Sequence, residues 1–303
     1  MIKHSLCCIS IELQKKKVKF STMTKKRFLL LERKTALKTV IERSINNLNT
    51  IYKTLELCQK NNWNYRLGSD VIPLMTLPEA NLKWSDFKEC DELFQKCANF
   101  IDQHKIRVSM HPDQFVVPAS ANPAVVTKSI EELIFHADIM DKLKLTQSYE
   151  SPINIHMNCY KGDLHEISDR FIKIYNKLPH NVKSRLVLEN EDKNNSWSVS
   201  ELYDYIYTKT NIPITYDNHH HFCNTRGLSS TQAFDIAYKT WPKNITPLFH
   251  FSGGDKNNKN PRAHGDWCPK DYPIEYNTDK NLDLEFEFKQ KDLAIKKFEK
   301  RKI

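Results

Sequence analysis

Glycine is scarce: six in 303 residues, at 68, 162, 227, 253, 254 and 265, forming neither a GxGxxG fingerprint nor a phosphate-cradling P-loop. Folds that bind a nucleotide cofactor through such a loop are therefore disfavoured. CxxC pairs are absent as well. The eight cysteines (7, 8, 58, 90, 97, 159, 223, 268) are irregularly spaced, like buried thiols in a reducing compartment rather than a zinc ribbon or a disulfide framework. Nowhere do about 18 apolar residues run uninterrupted, and Ser5-Leu6-Cys7-Cys8-Ile9 is too short for a signal-peptide core. A soluble, intracellular protein with no membrane partner is expected. No Ser/His/Asp ordering or nucleophile-elbow pattern stands out, so chemistry through a protein nucleophile is not expected.

Charge is biased rather than extreme. With 46 Lys+Arg against 37 Asp+Glu the formal net charge is +9, which favours an anionic partner such as nucleic acid, although in a chain rich in both Lys and Asn such a bias also arises from codon composition. Basic residues gather at Lys15-Lys16-Lys17-Val18-Lys19, at Lys25-Lys26-Arg27, and at Lys256, Lys259 and Arg262. The first two groups follow the first apolar run and the third follows the seventh, and phosphate contacts are assigned to both regions.

Short apolar runs alternate with amphipathic stretches along the whole chain, with no low-complexity linker between them. The runs are 6–11, 65–68, 106–110, 153–156, 185–188, 212–216, 247–251 and 282–288. Helical periodicity occupies 39–60, 84–104, 128–143, 165–177, 198–209, 231–240 and the segment from 290. Eight βα units in a chain of this length predict an α/β fold, a (β/α)8 TIM barrel in a single domain over 1–303, with a basic loop at about 12–38 and a C-terminal helix at about 290–303. A doubly wound open sheet is the alternative.

Polar residues fall where such a barrel places its chemistry, at the C-terminal ends of the strands. His111 closes the third run in RVSMHPDQF, His156 the fourth in INIHMN, Glu189 the fifth in RLVLEN and Asp217 the sixth in PITYD. His250 stands at the end of the seventh in PLFHFS, and Glu287 near the end of the eighth in LDLEFEF. Singly, each is more readily a hydrogen-bonded histidine or a helix N-cap carboxylate. Together at one rim, the carboxylates repel unless cations relieve them, and imidazole plus carboxylate suits Mn, Zn or Fe. Behind Asp217 stand His219, His220 and His221, one of which can reach a neighbouring ion, and spacing does not choose among them.

RVSMHPDQFVV, INIHMNCYKGD, RLVLENEDKNNSWSVSELYDY, PITYDNHHHFCN, PLFHFSGGD, PRAHGDW and DLEFEFKQKD, in this order, resemble the UV damage endonuclease family, which shares its barrel with endonuclease IV and the sugar isomerases. The resemblance implies His111, His156 and Glu189 on one metal, with Glu189 bridging to a second held by Asp217, His250 and Glu287. It implies His220 and His264 on a third. It implies catalysis by Glu189, Asp217, His250 and Glu287 with two or three divalent ions, Mn2+ first and Zn2+ or Mg2+ as alternatives. The implied reaction is incision 5′ to cyclobutane dimers and 6-4 photoproducts in double-stranded DNA by a monomer, leaving a 3′ hydroxyl. The alternatives are an abasic-site endonuclease of the endonuclease IV type and, from another class, a sugar isomerase.

Several positions depart from the family pattern. Leu248 replaces a lysine that helps bridge metals, Ser5-Leu6 replaces Gly-Tyr, Gln114-Phe115 replaces Gln-Tyr, and Gly162-Asp163-Leu164 replaces Gly-Asp-Lys. Gln114 and Phe115 are therefore expected to wedge into damaged DNA, Leu6 to offer an apolar wedge, and Lys256 and Arg262 to hold phosphates.

Overall fold

In the computed structural model, which describes residues 1–159, 162–255 and 258–301, eight parallel strands curve into one sheet. They are β1 (Ile2–Cys7), β2 (Asn64–Leu67), β3 (Val108–Met110), β4 (Ile153–Ile155), β5 (Leu186–Glu189), β6 (Ile214–Thr215), β7 (Leu248–Phe251) and β8 (Leu282–Phe286). Their order, β6-β5-β4-β3-β2-β1-β8-β7, runs round a cylinder. The one remaining gap, between β6 and β7, is crossed by a single parallel bridge, Asp217 to His250, where the His250 N–H donates to the Tyr216 carbonyl at 2.9 Å. The expected TIM barrel is therefore present, and its closing seam lies at two of the expected ligands.

The helices are α1 (Ile11–Lys15), α2 (Lys25–Leu30), α3 (Arg33–Lys60), α4 (Asp91–His104), α5 (Pro123–Lys142), α6 (Leu164–Tyr175), α7 (His180–Lys183), α8 (Val199–Leu202), α9 (Thr208–Thr210), α10 (Asn218–Cys223), α11 (Ser230–Thr240) and α12 (Lys291–Glu299). They form because capping and periodicity agree. On α3 the buried stripe Val40, Ser44, Leu48, Ile51, Leu55, Cys58 repeats every three to four residues, and the Glu32 carboxylate accepts from the first-turn N–H groups of Lys34 and Thr35. Helix α5 starts at Asn122-Pro123, an N-cap followed by a proline whose missing N–H needs no partner there. Each fully buried Leu or Ile of such stripes contributes roughly 1.5–3 kcal/mol.

Several boundaries differ from the sequence expectation. Strand β1 covers Ile2–Cys7, not 6–11, because Cys8 turns to φ 65 and the Ser10 side chain then caps α1, accepting from the Leu13 N–H at 3.1 Å. The segment 12–38 is not an open loop but carries α1, α2 and the start of α3, with Met23 and Phe28 anchored in the core. The stretch 198–209 is interrupted by a π-helical turn at Tyr203–Tyr207. Among the described residues, no helix is long and apolar enough to cross a membrane.

Candidate metal centre

Strands β3 to β8 each bring a histidine or a carboxylate to the C-terminal rim, and four imidazoles meet around Glu189. Its Oε2 lies 3.1 Å from His111 Nε2 and 3.5 Å from His156 Nε2. Its Oε1 lies 3.0 Å from both His220 Nδ1 and His250 Nδ1. One carboxylate thus presents each oxygen to a different pair of imidazoles, the arrangement a bridging ligand needs. The Asn154 amide fixes it from below, donating to Oε2 at 2.5 Å.

Asp217 does two jobs. Its Oδ1 accepts from the His219 and His220 N–H groups at 2.7 Å each, capping α10, so the N-cap reading and the ligand reading of this residue coexist. That cap makes the histidine triplet helical and turns the His220 ring to Glu189. Its Oδ2 faces His250 Nδ1 at 4.0 Å, and the same nitrogen lies 3.3 Å from Glu287 Oε1. Gly254, after β7, is required here because a Cβ would come within 2.9 Å of the His219 ring and 3.3 Å of the Pro261 carbonyl.

In three overlapping groups, one donor atom from each member lies within 4.8 Å of the others: His111, His156 and Glu189; Glu189, Asp217 and His220; and Asp217, His250 and Glu287. Such N/O sets, buried and rich in carboxylate, fit divalent ions. His264 falls outside these groups. Its ring centroid is 5.8 Å from that of His220, its Nδ1 is bonded to the Glu287 carbonyl oxygen at 2.8 Å, and the Glu287 carboxylate lies 3.6 Å away.

Electrostatics follow from this crowding. Burial would raise the Glu189 carboxyl, but the imidazoles of His156 and His250 and hydrogen bonds from His111 and His220 outweigh it and hold it well below the usual range. Burial likewise opposes ionisation of Glu287, which Arg66 and His250 nevertheless hold well down. Burial pushes His156 down to about 4, leaving a neutral ring. Burial opposes a proton on His220, yet Asp217 and Glu189 raise it to about 10, and His250 is raised by Glu189 and Glu287. Beside these carboxylates both imidazoles favour the protonated form.

Above the ligands opens a cleft of about 430 Å³ bordered by His111, Asp113, Gln114, His156, Glu191, His220, Arg262 and Glu287. Phe115, next in the chain to Gln114, is 75% exposed, and Gln114 is exposed beside it. Arg262 borders the cleft with its Nη1 3.6 Å from Asp192 Oδ1. Leu6 is corrected: it is fully buried in β1, paired with Tyr65 and Phe286, and forms part of the barrel wall rather than a wedge. Lys256 lies outside the described residues.

The family profile described as UV-endonuclease UvdE matches residues 2–302. The chain belongs to the UV-endonuclease UvdE family. The UV DNA damage endonuclease of Bacillus mycoides (strain KBAB4) is 33% identical over 237 residues, covering 76% of this chain and 72% of that protein. That of Clostridium perfringens (strain 13 / Type A) is 35% identical over 201 residues, 66% of this chain and 47% of its relative. The crystal structure of SacUVDE superposes with a TM-score of 0.86 at 28% identity, covering 99% of this chain and 97% of that one. Endonuclease IV from Thermus thermophilus (TM-score 0.56, 13% identity, 99% and 98% covered) shares the fold. So does a D-tagatose 3-epimerase-like protein (TM-score 0.52, 15% identity, 79% and 86% covered).

In this UvdE-family barrel two rim residues escaped the sequence reading. Glu285 is buried beneath the ligands, its Oε2 3.1 Å from His250 Nε2 and 3.0 Å from Arg66 Nη1. Arg66, from β2, also pairs with Glu287. The period of two in β8 could have found Glu285, since residues 283, 285 and 287 share one face. Arg66 carried no comparable signal in YRLG. Leu248, buried in β7 opposite Asp283, lies on the same strand face as His250, two residues earlier.

Proposed function

We propose that this UvdE-family protein is a metal-dependent DNA repair endonuclease that hydrolyses the phosphodiester 5′ to UV photoproducts in duplex DNA, leaving a 3′ hydroxyl and acting as a monomer. The observation that carries the reading is the set of Glu189, Asp217, His250 and Glu287 packed within ligand reach beneath a cleft bordered by Gln114, whose neighbour Phe115 is exposed. Family membership and the likeness to SacUVDE support it.

Two or three divalent ions, Mn2+ first, when bound, would polarise the scissile phosphate, acidify a water and stabilise the leaving 3′ oxygen. His111, His156 and Glu189 would hold one ion; Asp217, His250 and Glu287, with Glu189 shared, a second; and His220, with Glu189 and Asp217 beside it and His264 nearby, a third. The protein's own contribution is to fix these side chains before substrate arrives: Asn154 anchors Glu189, and Ser252 Oγ sits 2.8 Å from both Asp217 oxygens. Phe115 stacks on a base at the lesion, Gln114 hydrogen-bonds beside it, and Arg262 contacts a phosphate. Lys256 is assigned the same phosphate role from its sequence position alone.

The test is a nicking assay with Mn2+ on three duplexes: photoproduct-bearing, abasic and undamaged. Cleavage confined to the photoproduct duplex, on its 5′ side, is the expected result. Equal nicking of undamaged DNA defeats lesion recognition, and preference for the abasic duplex replaces this reading with an abasic endonuclease.

A further inference from the structure

The ligand sets above use only one edge of the His250 ring. Its Nδ1 faces Glu189, Asp217 and Glu287, whereas its Nε2 faces Glu285, whose carboxylate lies 3.1 Å away and belongs to none of the three groups around Glu189. Nε2 is buried and makes no hydrogen bond of good geometry, and the Glu285 oxygen at 3.1 Å is the acceptor within its reach. Glu285 is itself held. Arg66 Nη1 bonds its Oε2 at 3.0 Å, and the Ser109 hydroxyl donates to its Oε1. All four residues are buried, and they come from four strands, β2, β3, β7 and β8.

We infer that Glu285, fixed by Arg66 and Ser109, is the positioning residue that makes His250 present Nδ1 rather than Nε2 to a divalent ion. A histidine ligand donates its second ring N–H to an outer acceptor, and that bond sets both tautomer and ring plane. Arg66 braces that acceptor, its guanidinium reaching the Glu285 and Glu287 carboxylates from one position. The same contact explains why Cys7, Glu285 and Glu287, whose donor atoms also lie within 4.8 Å of one another, are not a further metal site: their cation is Arg66. This inference rests on the metal-centre reading, and it concerns which atom binds, not whether DNA is cut.

The experiment reads the ring directly. Protein labelled with 15N-histidine and loaded with diamagnetic Zn2+ is examined by long-range 1H–15N correlation, with His250 assigned by its loss in His250→Asn. The expected spectrum shows a metal-bound Nδ1 and a protonated Nε2. A metal-bound Nε2 overturns the inference while leaving the metal centre intact; failure of the wild type to take up any Zn2+ overturns both. In parallel, Glu285→Leu should weaken Zn2+ binding about 10- to 100-fold in chelator competition, and Glu285→Gln, which keeps an acceptor oxygen, should recover most of that loss. Unchanged affinity and tautomer in a folded Glu285→Leu protein also overturns it. The wild-type spectrum decides the tautomer even if that variant does not fold.

Discussion

Replacing Phe115 by alanine separates lesion engagement from everything else in the molecule. The ring is 75% exposed, so little apolar area is lost from the folded protein on truncation. The loop keeps its shape through bonds that do not involve the ring: the Phe115 N–H donates to Asp113 Oδ1 at 2.8 Å, and the Val117 N–H to Ser129 Oγ at 2.8 Å. The stability change should therefore stay within about 0.5 kcal/mol, the usual range for an exposed site. Stacking of a base on an aromatic side chain is worth about 1–3 kcal/mol, and about 1.4 kcal/mol is tenfold, so kcat/KM on a duplex with a single photoproduct should fall roughly 5- to 150-fold. Metal content should not change. Phe115→Tyr should retain most of the activity, and Phe115→Leu should fall between. The reasoning is refuted if the alanine variant cuts the lesion duplex as well as wild type. It is equally refuted if its melting temperature drops by several degrees, since the ring would then be structural.

Glu189→Gln should lower metal affinity by at least about 100-fold, since a shared inner ligand counts for more than an outer partner; isothermal titration with Mn2+ checks this. Arg262→Ala should weaken binding to damaged and undamaged duplexes alike and lower the slope of log Kd against log salt by about one, measured by fluorescence anisotropy across salt concentrations. Adding Mn2+ to chelator-stripped protein at about 100 times its Kd should stabilise the fold by about 2.7 kcal/mol, visible as a melting point a few degrees higher, and no shift would count against an ordered metal centre. His136 is held by the Glu132 carbonyl and Ser69, and burial lowers it to about 4 from an ordinary 6.5. The unfolded chain therefore binds the proton more readily between pH 6.5 and 4, so the neutral ring's contribution is full above that window and is lost as pH falls through it. Urea unfolding of metal-free protein should show wild type losing up to about 3 kcal/mol more than His136→Gln from about pH 7 to about pH 4.

The strand ends were legible because a barrel wall repeats a simple rule: an apolar run, then a polar residue at the mouth. His111, His156, Glu189, Asp217 and His250 all obey it, and each stands at the expected rim. Glu285 is hidden by the same rule, because LDLEFEF carries Glu285 and Glu287 on one strand face and only the later, Glu287, stands near the end of the run. Arg66 was not legible at all, since a buried arginine among carboxylates is defined by partners more than 200 residues away. The start of β1 was misread for a related reason. Lys3, His4 and Ser5 look like surface residues, yet His4 is taken up by Glu299 at 2.6 Å and Tyr272 at 2.6 Å from distant parts of the chain. Leu6 could not serve as a wedge once the strand ran through it, because its side chain was already committed to the core.

The narrow join between the sixth and seventh strands ties shape to chemistry. Two residues both finish the cylinder and face each other across its last gap, so any breathing that parts those strands carries the Asp217 carboxylate away from the His250 ring. An ion gripped from both edges would act as a staple at the weakest point of the wall, and mechanical integrity and working geometry would then be lost or kept together.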